Sequence, residues 1–321
     1  MKIGLPRGLL YYSYEPFLKT FFEELPVDVE ISEPTDQRIL DKGTASCIGE
    51  ACLPVKVFSG HVESLRETCD KVAVLRIMNS EYGESFCPKL NGLPELAGDG
   101  EDFIFTEPVD FGDRSALFRS LYRPCRSLGI RKKDVKRAFQ AAIGAWRKSA
   151  EGICVTERKY RVFLAGHSYN IRDSFVNMDL IRKLEKLDIG PATEQAVDRI
   201  YKEKYLKELI KKPFWANFIS LYGAARYLED QGIIDGIICL SSVSCGTDSV
   251  VSEMIRENTK LPVLMLKLDE MTGEAGFDTR LEAFCEVLSA GKRGRGNGRE
   301  NNRGRNPEST GEYAGRSDKD I

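Results

Sequence analysis

Lys2-Ile-Gly-Leu5, closed by Pro6-Arg7-Gly8, precedes Tyr14-Glu-Pro-Phe-Leu-Lys-Thr-Phe-Phe-Glu-Glu-Leu25 and then Val27-Asp-Val-Glu-Ile31. The first run is short, apolar and ended by Pro and Gly, as a buried strand is. In the second, Leu18, Phe21, Phe22 and Leu25 recur at helical spacing. The third reads as another strand, and Pro34-Thr35-Asp36 opens a further helix. Strand, helix, strand, helix is the start of an α/β domain built on a mostly parallel sheet.

The same alternation continues. A helix is expected from about Pro54 to Glu67 and a buried strand over Lys71–Leu75, with a further strand over Phe103–Thr106. A helix from about Arg114 should stop near Tyr122, because Pro124 follows. A second helix covers roughly Lys133–Glu151. Strands are then expected at Arg161–Ala165, Gly236–Leu240 and Val263–Leu268, with helices at Asn177–Leu187 and Phe218–Asp230 and a last one to about Ala290.

The pattern predicts two similar α/β domains, residues 1–128 and 152–290, joined by a helical linker at 129–151. From Gly291 the chain turns rich in Gly and Arg, with few apolar residues, so 291–321 should be a disordered tail.

The chain has 321 residues, of which 42% are hydrophobic and 30% charged, enough for a sizeable core. A net charge of −2 gives no reason to expect a specific nucleic acid or a membrane surface as partner. No run approaches ~18 apolar residues, so no span is expected. Because the N-terminus reads as a strand and not as a signal peptide, a cytoplasmic location follows, where thiols stay reduced. Nine cysteines is an odd count, which also argues against a disulfide framework.

Three of the nine share a local grammar: Cys52-Leu-Pro54, Cys87-Pro88 and Cys245-Gly246. Each lies in an expected loop beside a strand end or helix start, with Pro or Gly just downstream. Cys52 belongs to Ser46-Cys-Ile-Gly-Glu-Ala-Cys-Leu-Pro-Val-Lys-Val-Phe-Ser-Gly-His61, which also holds Cys47, a candidate fourth ligand or a mere neighbour. Cys239, inside a strand, and Cys285, on the last helix, read as core. Each loop cysteine alone reads equally as a small buried hydrophobe.

No Cys-x-x-Cys occurs, so neither a zinc ribbon nor a thioredoxin-type dithiol is supported. Three thiolates as the main soft ligands suit an iron–sulfur cluster better than zinc, and fewer than four protein ligands leave one iron open. Amides at Val55–Lys56 and Gly246–Asp248 would tune such a cluster. The only histidines are His61, in a helix, and His167, at a strand end beside Ser168 and Tyr169. A site with three histidine ligands is thereby excluded. No dinucleotide or ATP fingerprint is present. The loop holding Asp269, Glu270 and Glu274 reads either as acid–base groups or as a capped loop before a helix.

Several motifs together resemble the 2-hydroxyacyl-CoA dehydratase-like proteins, in particular the stand-alone acyl-CoA dehydratase activase-related branch. They are Ile3-Gly-Leu-Pro-Arg-Gly-Leu-Leu-Tyr-Tyr12, Glu50-Ala-Cys-Leu-Pro-Val-Lys56 and Cys87-Pro-Lys-Leu-Asn-Gly-Leu-Pro94 in the first half. Gly166-His-Ser-Tyr-Asn-Ile-Arg-Asp173, Ser244-Cys-Gly-Thr-Asp-Ser249 and Asp269-Glu-Met-Thr-Gly-Glu-Ala-Gly276 carry it in the second.

The resemblance implies two Rossmann-like domains with a [4Fe–4S] cluster between them, its ligands Cys52, Cys87 and Cys245. It implies low-potential one-electron reduction or radical dehydration of a small substrate such as an acyl-CoA. A ketyl radical forms in the related dehydratases. An ATP-dependent activator or other low-potential donor would be the partner, and a homo- or hetero-dimer the assembly. A non-catalytic electron-transfer or accessory iron–sulfur protein is the alternative. Thr247 stands where the family pattern has proline, and Met271 where similar chains carry histidine.

Overall fold

A computed structural model of the chain describes residues 1–98, 100–148, 152–154 and 157–295. In the first half the order is β1 (Lys2–Leu5), α1 (Tyr11–Glu23), β2 (Asp28–Ile31), α2 (Gln37–Ser46), α3 (Leu53–Arg66), β3 (Lys71–Ala73) and β4 (Arg76–Asn79). Then come α4 (Pro88–Asn91), α5 (Leu93–Leu96), β5 (Phe103–Ile104), β6 (Pro108–Asp110), α6 (Arg114–Ser127) and α7 (Lys132–Lys148). The second half runs β7 (Tyr160–Ala165), α8 (Ser168–Arg172), α9 (Leu180–Lys186), β8 (Ile189–Ala192), a 3₁₀ turn (Glu194–Ala196), α10 (Arg199–Leu206) and α11 (Ala216–Asp230). It closes with β9 (Gly236–Ser242), α12 (Gly246–Asn258), β10 (Val263–Leu268) and α13 (Glu274–Arg295).

The fold is α/β with parallel sheets, as the alternation predicts. One four-stranded sheet has the order β2-β1-β3-β5 and the other β10-β9-β7-β8, while β4 and β6 form a parallel pair. Every pairing between these strands is parallel. The loops that follow parallel strands leave a sheet at one edge, its carboxyl edge, where ligands of open α/β sheets gather.

Alternation along the strands builds the core. In β7 and β9, Val162, Leu164, Ile238 and Leu240 face one apolar cluster, while Phe163, Ala165, Ile237 and Cys239 face another. The first sheet has its own cluster, filled by Phe17, Phe21 and Phe22 of α1 and by Val135, Phe139 and Trp146 of α7. The expected linker is therefore packed against the first sheet's core. Ile39, Leu40, Leu53 and Val57, from α2 and α3, join the second sheet's cluster, so this helix pair reaches across the boundary expected near 128.

Several boundaries differ from expectation. The Arg114 helix does not stop before Pro124 but runs through it to Ser127. The buried Leu121 and Cys125, both 0% exposed, pin the turn on either side. Their burial outweighs the one helix bond that the missing proline N–H removes. The strand expected over Lys71–Leu75 ends at Ala73, and a separate strand, β4, begins at Arg76. The last helix continues to Arg295, and the remainder of the Gly/Arg-rich tail, 296–321, lies outside the described residues. Among the described residues no helix is long and apolar enough to cross a membrane.

Where α2 crosses α3, glycine is required on both sides. A Cβ on Gly43 would lie inside contact distance of the Lys56 carbonyl, and one on Gly60 would collide with the Ile39 carbonyl. Backbone cannot yield as a side chain tip can, so Gly60→Ala should destabilise the fold by at least about 1–3 kcal/mol. A urea midpoint within error of the parent chain would show that the helices can separate without cost.

Candidate metal centre

Cys52, Cys87 and Cys245 occupy the same structural position. Each is the N-cap residue of a helix, respectively α3, α4 and α12, and each has extended backbone angles. Pro54 and Pro88 sit in the first turns that follow, where a missing N–H leaves no bond unmade. Ser244, just before Cys245, has φ of 63°, a left-handed conformation that a serine adopts only when its surroundings enforce it. That turn directs Cys245 off the end of β9.

The three loops are tied by one side chain. Lys89 lies two residues past Cys87, and its Nζ donates to the carbonyl oxygens of Glu50 at 3.2 Å and Ser244 at 3.4 Å. Burial pushes the Cys52 thiol up to about 11; Lys89 opposes this, and Cys245 and Cys87 add to it.

The amides of Val55 and Lys56 donate to the Cys52 carbonyl at 2.9 and 3.2 Å, and the Val55 amide also acts on the Cys52 sulfur, against the effect of burial. Cys47 is the C-cap of α2, at the negative end of a helix dipole, the less favourable end for a thiolate. Cys125 and Cys239 are core residues, their thiols pushed up to about 12 by burial. Cys285 is partly buried at the edge of a core cluster, and Cys154 is exposed.

A group that the loop grammar missed adjoins Cys245. His167 ends β7 and is the N-cap of α8. Its Nε2 lies 2.9 Å from Asp248 Oδ1 and 3.2 Å from Asn217 Nδ2. Its ring stacks on Tyr169 at 4.5 Å. Burial works against the imidazolium, but Asp248, with help from Cys245, holds His167 up at about 10. Burial and the charges of Asp248, Cys245, Cys87 and Cys52 hold the Tyr169 phenol neutral, well above its usual range. Ligand atoms of His167, Cys245 and Asp248 all lie within 4.8 Å of one another. The signal available in sequence was Asp248 itself, three residues beyond Cys245.

The rest of this edge is also charged. After β8, burial raises the Glu194 carboxyl, against Lys202 and more weakly His167. After β10, the acidic loop proves to be the capped one. Asp269 accepts the Met271 amide at 2.9 Å, Glu274 pairs with Lys183 at 2.8 Å, and Glu270 pairs with the buried Lys56 at 2.6 Å.

His61 is fully buried in a chain of hydrogen bonds between the halves. The Thr35 hydroxyl lies 2.5 Å from Asp173 Oδ2 and 3.0 Å from His61 Nε2, and Tyr12 donates to the same carboxylate oxygen at 3.1 Å. Thr35 has one proton, and Asp173 takes it. The ring therefore donates Nε2–H to Thr35, leaving a buried Nδ1 with no partner among the described residues. His61 is structural.

The chain is a parallel α/β protein in which Lys89 joins the loops of three N-cap cysteines. A family model, the CoA enzyme activase uncharacterised domain (DUF2229), matches residues 2–197, and the chain belongs to that family. The matched segment contains Cys52, Cys87 and His167 and ends before Cys245. No curated protein and no solved structure gives a significant match.

Burial, with a smaller push from Arg7, lowers the His61 pKa from 6.5 to about 3. The unfolded chain therefore takes up this proton first. The associated stability is complete above pH 6.5 and is lost as pH falls toward 3. Below pH 6 the parent chain should lose about 1.4 kcal/mol per pH unit more than His61→Gln in urea titrations. Parallel pH profiles for the two would show that His61 is solvated.

Proposed function

We propose that Cys52, Cys87 and Cys245 hold a [4Fe–4S] cluster between two α/β domains, residues 1–128 and 152–290. In this reading the chain is a 2-hydroxyacyl-CoA dehydratase-like component for low-potential one-electron reduction or radical dehydration of a small acyl substrate. Lys89 carries the proposal, because one ammonium group draws together the loops of all three cysteines from both halves. The donor set fits: three cysteines, each the N-cap of a helix, offer the soft sulfur ligands of a thiolate-bound iron cluster.

Such a cluster supplies single electrons at low potential and, with fewer than four protein ligands, an iron open to substrate. The chain's own residues hold and shield it. Tyr169 stays neutral beside the sulfurs and keeps water from the His167 side. Lys89 offsets their charge. Lys56 and Glu270 fasten α3, and with it Cys52, to the second sheet. The family's description as a CoA enzyme activase domain supports an acyl-CoA context and an ATP-dependent partner as electron source.

Anaerobic reconstitution should give about four irons and four sulfides per chain, with broad absorption near ~400 nm. Cys52→Ser, Cys87→Ser and Cys245→Ser should each lower the iron content, and an acyl-CoA should shift the spectrum of the reduced protein. Full iron in all three variants would remove the ligand assignment. A cluster insensitive to acyl-CoA would leave an electron carrier.

A further inference from the structure

We infer that His167, Cys245 and Asp248 form a site for one divalent ion of the zinc class that requires neither Cys52 nor Cys87. An imidazole nitrogen, a sulfur and a carboxylate oxygen converge within 4.8 Å. Ordinary tetrahedral bond lengths of about 2.0–2.3 Å place ligand atoms roughly 3.5 Å apart. A small inward movement therefore closes the three around one ion. Residues that each hold a different iron of a cluster stand further apart than residues sharing one ion.

Asp248 provides the independent observation. It is the third residue of α12, from which a carboxylate ordinarily turns back to the N-cap amide. The Cys245 amide donates instead to the Ser242 carbonyl at 3.1 Å. Neither Asp248 oxygen accepts a hydrogen bond among the described residues, although the residue is only 2% exposed. Its charged neighbour is His167, whose Nε2 approaches Oδ1 at 2.9 Å as an ion pair. A buried carboxylate without donors is costly. A metal ion bound between them displaces the imidazolium proton and takes over its place as the carboxylate's positive partner.

One thiolate, one imidazole and one carboxylate suit Zn²⁺, Co²⁺ or Fe²⁺ and do not suit Mg²⁺ or Ca²⁺. Three protein ligands leave a fourth place open, as in catalytic zinc sites and unlike closed structural ones. Stacking on Tyr169 fixes the imidazole plane. Cys245 is common to this site and to the proposed cluster, so the two occupants alternate. The single ion is held when Cys52 and Cys87 are not ligated.

The test is a Co²⁺ titration of the full chain, freed of metal anaerobically with its thiols reduced. One equivalent should bind, giving a sulfur-to-cobalt charge-transfer band and the visible bands of a tetrahedral site. The Cys52→Ser/Cys87→Ser double variant should bind it equally well. His167→Gln and Asp248→Asn, with circular dichroism unchanged, should bind about 100-fold more weakly or worse. Those two variants should still take up a full cluster, so a failed cluster assignment and a failed single-ion site give different results. The inference is overturned if the double variant loses cobalt, which would place the ion among the three cysteines. It is equally overturned if His167→Gln and Asp248→Asn bind as tightly as the parent, leaving His167 and Asp248 an ordinary ion pair.

Discussion

Asp173 is the point on which the two halves of the molecule are set. One oxygen takes Tyr12 and Thr35 from the first half, and the other takes the amides of Phe175 and Val176 from the second. A carboxylate with both oxygens engaged has no low-energy alternative in a buried place, so the seam has one register. Ser13 with Ser168, Arg172 with Glu15 and Lys56 with Glu270 continue it. The cysteines come from both sides of this seam. Their mutual placement is therefore a property of the seam as much as of any loop.

Charge at the centre is arranged with few compensating groups. Cys52 is buried and its sulfur is raised further by two others, while Lys89 is the nearby cation that lowers it. Lys89 is also committed to two backbone carbonyls, which fixes where its charge sits. Across the site, the carboxylate of Asp248 meets His167 alone. Both arrangements lie at helix N-termini, where dipoles favour negative charge.

Much of the architecture was legible because strand and helix periods differ. Lys2–Leu5, Gly236–Leu240 and Val263–Leu268 stood out as short apolar runs, and the loop positions of Cys52, Cys87 and Cys245 followed from Pro and Gly just downstream. The strand Ile189–Ala192 escaped notice because Gly190 and Pro191 occupy half of it, and those residues argue against a strand. Pro124 misled for the opposite reason: tertiary packing around Leu121 and Cys125 overrode a strong local signal. The part of the site that could not be read was relational. Nothing near Asp248 in sequence reveals His167, because the two come together only when the loops after β7 and β9 share one edge.

The lengths of chain enclosed by the seam contacts bear on how the molecule assembles. Lys56 and Glu270 are 214 residues apart, Tyr12 and Asp173 are 161, and Lys89 and Ser244 are 155. Closing the first such loop carries nearly the whole entropic penalty, since each doubling of length adds only about 0.6 kcal/mol. Once one contact holds, the others join ends that are already neighbours. The seam should therefore form and open as a unit, together with the packing of α2 and α3 into the second sheet's core. The centre's ligands would then come into position together, in one concerted closure.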